Sequence, residues 1–527
     1  MDRLPQLIYD EISSLLQDPA FDKPALATIS RPWQAVIERH TFREIRLRNT
    51  DLDRFQEIVH YGRRRYVNVI NYQIILPAYG DDVRCRFERE NDRRANDEVF
   101  TTAIHRLFHS LKTWDVHKDG YITLRLEDVY SSSDHPSLRH SSPSFKWSDI
   151  LRLHRDWDTD CNVDLWSWRW QYSYLRLLHP SKLPAVPVVA SFFIPHITRH
   201  ICDRVPIDIA ARLPSLRVGD WRMNDWEIRY IALRRAHRRD LVQAVTEVFP
   251  RLSVLRSLTL HMSSMFFWNP NFSVGTYPPG ESTVDPLSDA IRTATAGIST
   301  LRDLTISGTI DGSIFSPSLP YDLVEPYWQN LEYLTVHFET GRPSGGHYFW
   351  DPQQAARGPN HEELLPISET EVPPGYGPNE EEDAEAAISF SLRGQRDFDP
   401  RVREVHPDDD SLVPLIEAFG RACLQMPALK RAELATVIPV PPGPNTARSG
   451  ENKSPWGLWY FSPGTPPGAN PLEMHPAFSE DIHHRRLFWD INGWRLDMDL
   501  QTLLRSIGSE RYGKYLVERF VDTWVPR

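Results

Sequence analysis

A leucine phrase recurs along the middle of this chain and limits what it can fold into. It reads Leu252-x-x-Leu255-x-x-Leu258-x-Leu260, then Leu301-x-x-Leu304-x-Ile306, then Leu331-x-x-Leu334-x-Val336. In each copy the closing pair of apolar residues alternates as on a strand with one buried face. Turn or helix-like stretches precede the copies, such as Asp240 to Phe249 and Ser288 to Ala296. Met426-Pro427-Ala428-Leu429 with Ala432 and Leu434 forms a weaker fourth copy, and Tyr66 to Leu76 and Ile122 to Leu126 supply two earlier strands of the series. One helix–strand unit cannot bury its own apolar face, whereas stacked units can, so the phrase predicts a curved sheet with helices outside. The alternative is an irregular α/β domain in which the leucine spacing is fortuitous.

The steps from Leu258 to Leu304 and from Leu304 to Leu334 are 46 and 30 residues, longer and less regular than the roughly 20–29 of leucine-rich repeats. The units are therefore degenerate. At 527 residues and 40% hydrophobic content the chain is long enough for two to four domains with substantial cores. Its four cysteines, Cys85, Cys161, Cys202 and Cys423, lie far apart, which argues against a disulfide framework or a zinc ribbon and for a reducing compartment, cytoplasmic or nuclear. Met1 to Pro5 lack the order of a signal peptide, and the longest apolar stretch, Leu183 to Ile197, is interrupted by Pro184, Pro187 and Pro195. No membrane association is expected.

The net charge of −11 is concentrated in one place. From Gly358 to Leu392 there are nine acidic residues and no Lys or Arg, within a Pro- and Gly-rich stretch, residues 341–410, that reads as a disordered insertion. Ser131 to Ser144 reads as a smaller one. The remainder carries no field that would attract nucleic acid. Basic residues are almost all Arg, and no Lys occurs between Lys182 and Lys430.

Catalytic signatures are missing: there is no G-x-S-x-G elbow, P-loop, dinucleotide-binding glycine run or H-E-x-x-H. We expect no enzyme activity, catalytic residue, cofactor or metal. His105 and His109 stand four apart on a helix but lack a local third ligand. Asp115 to Leu126 imitates a calcium loop and fails where position 12 must be Glu and is Leu126, so it reads as a turn into a strand. Trp166, Trp168, Trp170, Tyr172 and Tyr174 alternate with polar residues as one aromatic face of a strand, more simply core than a peptide-holding stripe. Arg234-Arg235-Ala236-His237-Arg238-Arg239 reads as a solvated helix surface.

At the N-terminus Ile8, Ile12, Leu15 and Leu16 recur at helical spacing behind Pro5, Pro19 and Pro24 break that helix, and Ser30-Arg31-Pro32 opens another carrying Trp33, Val36 and Ile37. Three short helices in so few residues need a partner or the rest of the chain to cover their apolar faces. Leu4-Pro5 with Ile8 and Ile12, followed by Ala25-Leu26-Ala27-Thr28-Ile29-Ser30-Arg31-Pro32-Trp33, resembles an F-box, the module by which substrate receptors dock on the adaptor of a cullin-RING ubiquitin ligase. Leu7 stands where such motifs often carry Glu. The rest, including Asp490-Ile491-Asn492-Gly493-Trp494-Arg495, looks like filamentous-fungal F-box proteins with a leucine-rich-repeat-like domain.

The resemblance implies an α/β chain. Residues 1–48 would be a three-helix F-box, and 49–340 and 411–527 an irregular leucine-rich-repeat-like solenoid interrupted by 341–410. It implies an adaptor contact, or its immediate support, through Leu4, Pro5, Ile8, Ile12, Leu16, Ile29 and Trp33. The solenoid would hold a protein substrate whose identity the residues do not give. The second reading is an interaction scaffold outside any ligase, in which the N-terminal helices cap the repeat stack.

Overall fold

The computed structural model describes residues 28–84, 86–134, 139, 169–170, 172–223, 231–262, 277, 284–316, 328–350, 372–377, 406–439, 453–468 and 476–521. The protein is mixed α/β with mostly parallel strands, and it divides into two compact units, residues 1–200 with 208–221 and residues 201–207 with 222–527.

In the first unit α1 (Arg31–Arg43) begins behind Ser30, with Pro32 in the first turn, where a missing N–H costs nothing. Trp33, Val36 and Ile37, at i, i+3 and i+4, form its buried stripe. The chain then runs straight into β1 (Glu44–Arg48), followed by α2 (Leu52–Ile58), β2 (Val69–Leu76), α3 (Glu90–Leu111), β3 (Ile122–Ser131), β4 (Val189–Ile194) and β5 (Val218–Arg222), whose last residue, Arg222, belongs to the second unit. The strands lie in chain order and the pairs β1–β2, β2–β3, β3–β4 and β4–β5 are parallel. Asn49 closes the end of β1 by extending its pairing through a side chain: its Nδ2 donates to Ile75 O at 3.1 Å and its Oδ1 accepts from Ile75 N at 3.0 Å. Tyr72 of β2 donates to Ala103 O of α3 at 2.9 Å, fixing this 22-residue helix across its sheet.

The second unit carries α4 (Ile231–Val248), β6 (Ser257–Met262), α5 (Pro286–Ala296), β7 (Asp303–Gly308), β8 (Tyr333–Phe338), the short pair β9 (Phe349–Trp350) and β10 (His406–Pro407), α6 (Asp409–Leu424), β11 (Arg431–Pro439), β12 (Lys453–Phe461), β13 (Arg485–Asp490), α7 (Met498–Arg505) and β14 (Leu516–Phe520). The leucine phrases are β6, β7, β8 and β11, in parallel register. Leu258, Leu304, Leu334 and Ala432 stand in one row, Leu260, Ile306, Val336 and Leu434 in the next, and all are buried. Each row cements neighbouring units by apolar burial, about 1.5–3 kcal/mol per large side chain before entropy.

Beyond β11 the parallel series stops, since β12 and β13 pair antiparallel and β14 returns to parallel. The stretch expected to be disordered is folded at both ends, where Tyr348 and Phe349 are buried, β9 pairs with β10, and α6 starts at Asp409. Its acidic middle lies outside the described residues apart from 372–377.

Candidate functional site

Alternation along the repeat strands sends a second set of side chains to the face opposite the leucines. Register arranges them in three rows across β6, β7, β8 and β11: Ser257, Asp303, Tyr333, Arg431; then Thr259, Thr305, Thr335, Glu433; then His261, Ser307, His337, Ala435. Thr335, Glu433 and Ala435 are buried and the others are half-buried. The last row continues by one residue. Met223 N donates to His261 O at 2.7 Å, and because a parallel pair joins each N–H to the residue before its partner, Arg222 stands beside His261. At the strand spacing of about 4.8 Å, Arg222, His261, Ser307 and His337 form a line of four hydrogen-bonding side chains.

Charges on this face are unevenly compensated. Glu433, wholly buried, lies 2.8 Å from His337 Nε2. Lys430 is held by Glu332 at 2.5 Å. Burial pushes the Asp303 carboxyl up, opposed by the Arg431 charge and a hydrogen bond with Ser257. Burial, then the charges of Arg222 and His337, hold the His261 imidazole down at about 4, so it is neutral near pH 7. Among the described residues no carboxylate lies within ion-pair distance of Arg222, and the Thr259, Thr305 and Ser307 hydroxyls have no hydrogen-bond partner.

Behind this face, polar nodes anchor the loops that follow the strands. Arg238 of α4 donates to Asp285 Oδ2 at 2.9 Å and to Thr309 O at 3.2 Å, Arg234 donates to Thr309 Oγ1 at 3.1 Å, and Thr309 donates to Glu339 Oε2 at 2.6 Å. This corrects the expectation of a solvated arginine surface. Arg234 and Arg238 are buried because acceptors far along the chain reach them, Tyr277 and Thr309 for Arg234 and Asp285 and Thr309 for Arg238, which one helix's sequence does not reveal. The first unit has a comparable node, with Arg199 between Glu88 and Asp134 at 2.7 Å each and its guanidinium over Trp170.

Of the expected adaptor-contact residues, Leu4, Pro5, Ile8, Ile12 and Leu16 lie outside the described residues. Ile29 is 56% exposed at the entry to α1, whereas Trp33 is buried with Val36 and Ile37, so Trp33 supports the helix from within. His105 and His109 lie on α3, His109 Nδ1 2.9 Å from His105 O, and among the described residues no cluster of three or more metal-ligating side chains occurs. Asp115 does open a turn: its carboxylate accepts from His117 N and its own N–H donates to Asp119, ahead of β3.

The aromatic stripe is corrected in form. Residues 166–168 and 171 lie outside the described residues, and Trp170, Tyr172 and Tyr174 sit in a short 3₁₀ turn and coil rather than a strand. That segment is tied by Glu88 N to Arg169 O and by Leu175 N to His200 O; Trp170 is buried against Arg199 and His200, Tyr174 against His200, and Tyr172 against Phe87. Over Trp170, Tyr172 and Tyr174 the alternation reflects ring burial, not pleating.

No protein-family model matches this chain, and no curated protein matches it either. Among the described residues no helix is long and apolar enough to cross a membrane.

Proposed function

We propose that this chain is the substrate-receptor subunit of an SCF-type cullin-RING ubiquitin ligase, docking the adaptor through its N-terminal helices and a protein substrate through the polar face of β6, β7, β8 and β11. The observation that carries the reading is the combination of two surfaces. An F-box-like sequence leads into α1 with Ile29 exposed, and the repeat strands bury leucines on one face while the other presents hydroxyls, His261 and Arg222 that have no partner among the described residues. In this reading the chain performs no bond chemistry itself. It needs no cofactor, metal, nucleic acid or membrane, and works in the cytoplasm or nucleus.

The test is co-purification of the adaptor with the full chain and with a Leu4→Ala, Pro5→Ala, Ile8→Ala variant whose fold is verified by circular dichroism. Adaptor retained by the wild type and lost by the folded variant supports the receptor. Absence of adaptor from the wild type refutes it. A second reading, a scaffold outside any ligase whose N-terminal helices cap the repeat stack, is favoured by one observation, the inward packing of Trp33, Val36 and Ile37.

A further inference from the structure

We propose that the free edge of β1 pairs with the same edge of a second copy of this chain, antiparallel and centred on Arg46. This pairing uses no residue of the adaptor or substrate surfaces, and it stands or falls independently of the receptor reading.

Among the described residues β2 is the only strand neighbour of β1, which ends the sheet. Parity decides which groups that edge leaves open. Arg43 O accepts from Asn68 N at 2.9 Å, and Asn49 reaches Ile75 of β2 through its side chain, so Arg43, Ile45, Leu47 and Asn49 turn their hydrogen-bonding groups toward β2. The main-chain N–H and C=O groups of Glu44, Arg46 and Arg48 therefore point away from it, and an unpaired row of this kind is a template for another strand.

The side chains select which strand. Charges on an edge ordinarily keep other strands off, and Glu44, Arg46 and Arg48 are all exposed, on the face that carries Asn71 and Gln73. Arg46 is answered within its own copy by Glu127 at 3.3 Å, and Glu44 accepts from Asn71 Nδ2 at 2.6 Å. Arg48 has no carboxylate at ion-pair distance among the described residues. Turning a second copy about Arg46 sets Glu44 opposite the other copy's Arg48 on both sides of the centre, where opposite charges attract, and sets Arg46 against its own mate with Glu127 offsetting each. In that register every opposed pair of outward residues exchanges both main-chain hydrogen bonds. On the other face the half-buried Ile45 meets the other copy's Leu47. A two-residue shift either way leaves Arg48 beyond the ladder or opposite Arg46, so hydrogen bonding and charge agree on one register. A single strand pair is smaller than the roughly 1,200–2,000 Å² of a standard interface, which makes the dimer reversible, with a dissociation constant in the micromolar range.

The test is sedimentation velocity on the full chain without adaptor, from about 1 to about 100 µM, the range such an interface calls for. The wild type passes from monomer to dimer. Arg48→Glu and Glu44→Arg each set like charges opposite one another on both sides of the centre, and each variant alone stays monomeric. Their equimolar mixture restores the dimer, because the two reversed positions then face each other with opposite signs while the native Arg48 of one variant faces the native Glu44 of the other. Arg46→Pro removes an outward N–H without touching the β1–β2 ladder, so it keeps the circular dichroism of the wild type and stays monomeric. A wild type that is monomeric throughout the range, a dimer that survives in either charge variant, or a mixture that fails to associate overturns the proposal. Adaptor capture enters none of these readouts.

Discussion

His337 and Glu433 meet across neighbouring parallel strands, Nε2 2.8 Å from Oε1, with the carboxylate side chain wholly buried and the imidazole 22% exposed. A carboxylate removed from water depends on such a partner, and loss of one member costs more than loss of both. His337→Leu therefore lowers unfolding free energy by about 2–4 kcal/mol, and adding Glu433→Gln recovers more than half of that. Urea unfolding of the two variants measures both numbers. Additive losses would show that the pair is not coupled.

Asp97 on α3 gives a pH-dependent prediction. Its Oδ1 accepts from Arg176 N at 2.8 Å, yet burial, only partly offset by that bond and by the Arg176 and Arg93 charges, pushes the carboxyl up to about 6. An acid whose pKa is higher in the folded state binds its proton more tightly there. The wild type therefore gains stability as pH falls from about 6 to about 4, and carries a penalty above that window. Asp97→Asn keeps an acceptor for Arg176 and removes the charge. It should exceed the wild type by about 1 kcal/mol at pH 7, after discounting for solvent screening, with the gap closing near pH 4. Melting curves of both proteins across that range decide it, and an equal gap at both ends would show that the charge is not the cause.

The repeat strands were legible because their signal is local. Leu258, Leu304 and Leu334 announce a buried face within a few residues, and Ser30 with Pro32 announces the start of α1 in the same way. What stayed hidden was made by distant partners. Arg238 and Asp285 pair across 47 residues, and His337 and Glu433 across 96, and neither pairing leaves a periodic trace. Arg222 joined the polar row only through the Met223 N to His261 O bond, invisible before the register was known. The antiparallel turn at β12 was missed because Trp456, Gly457, Leu458 and Trp459 are buried on both faces, which erases the alternation that identifies a strand.

Gly457 tests that same turn. It lies opposite Ala435 in the β11–β12 ladder, and a Cβ built there would come within 2.6 Å of Leu434 O and 2.8 Å of Ala435 Cα and Cβ. Two of those three atoms are backbone, so no side-chain rotation relieves the clash, and Gly457→Ala must push β12 away from β11. The expected cost is about 1–3 kcal/mol. Its spectroscopic trace follows from the neighbours: Trp456 packs edge-on to Phe338 and Phe349, and Trp459 lies 5.3 Å from the Phe478 ring, so both indoles report displacement of the strand. Gly464→Ala is the comparison, because Gly464 has a left-handed φ of 79° but open space around its missing Cβ. Its penalty is conformational strain of about 1 kcal/mol and should leave the near-ultraviolet dichroism of the tryptophans unchanged. Gly457→Ala should both lower the urea midpoint and alter that spectrum, and an unchanged spectrum would mean that the two strands absorb the methyl group without separating.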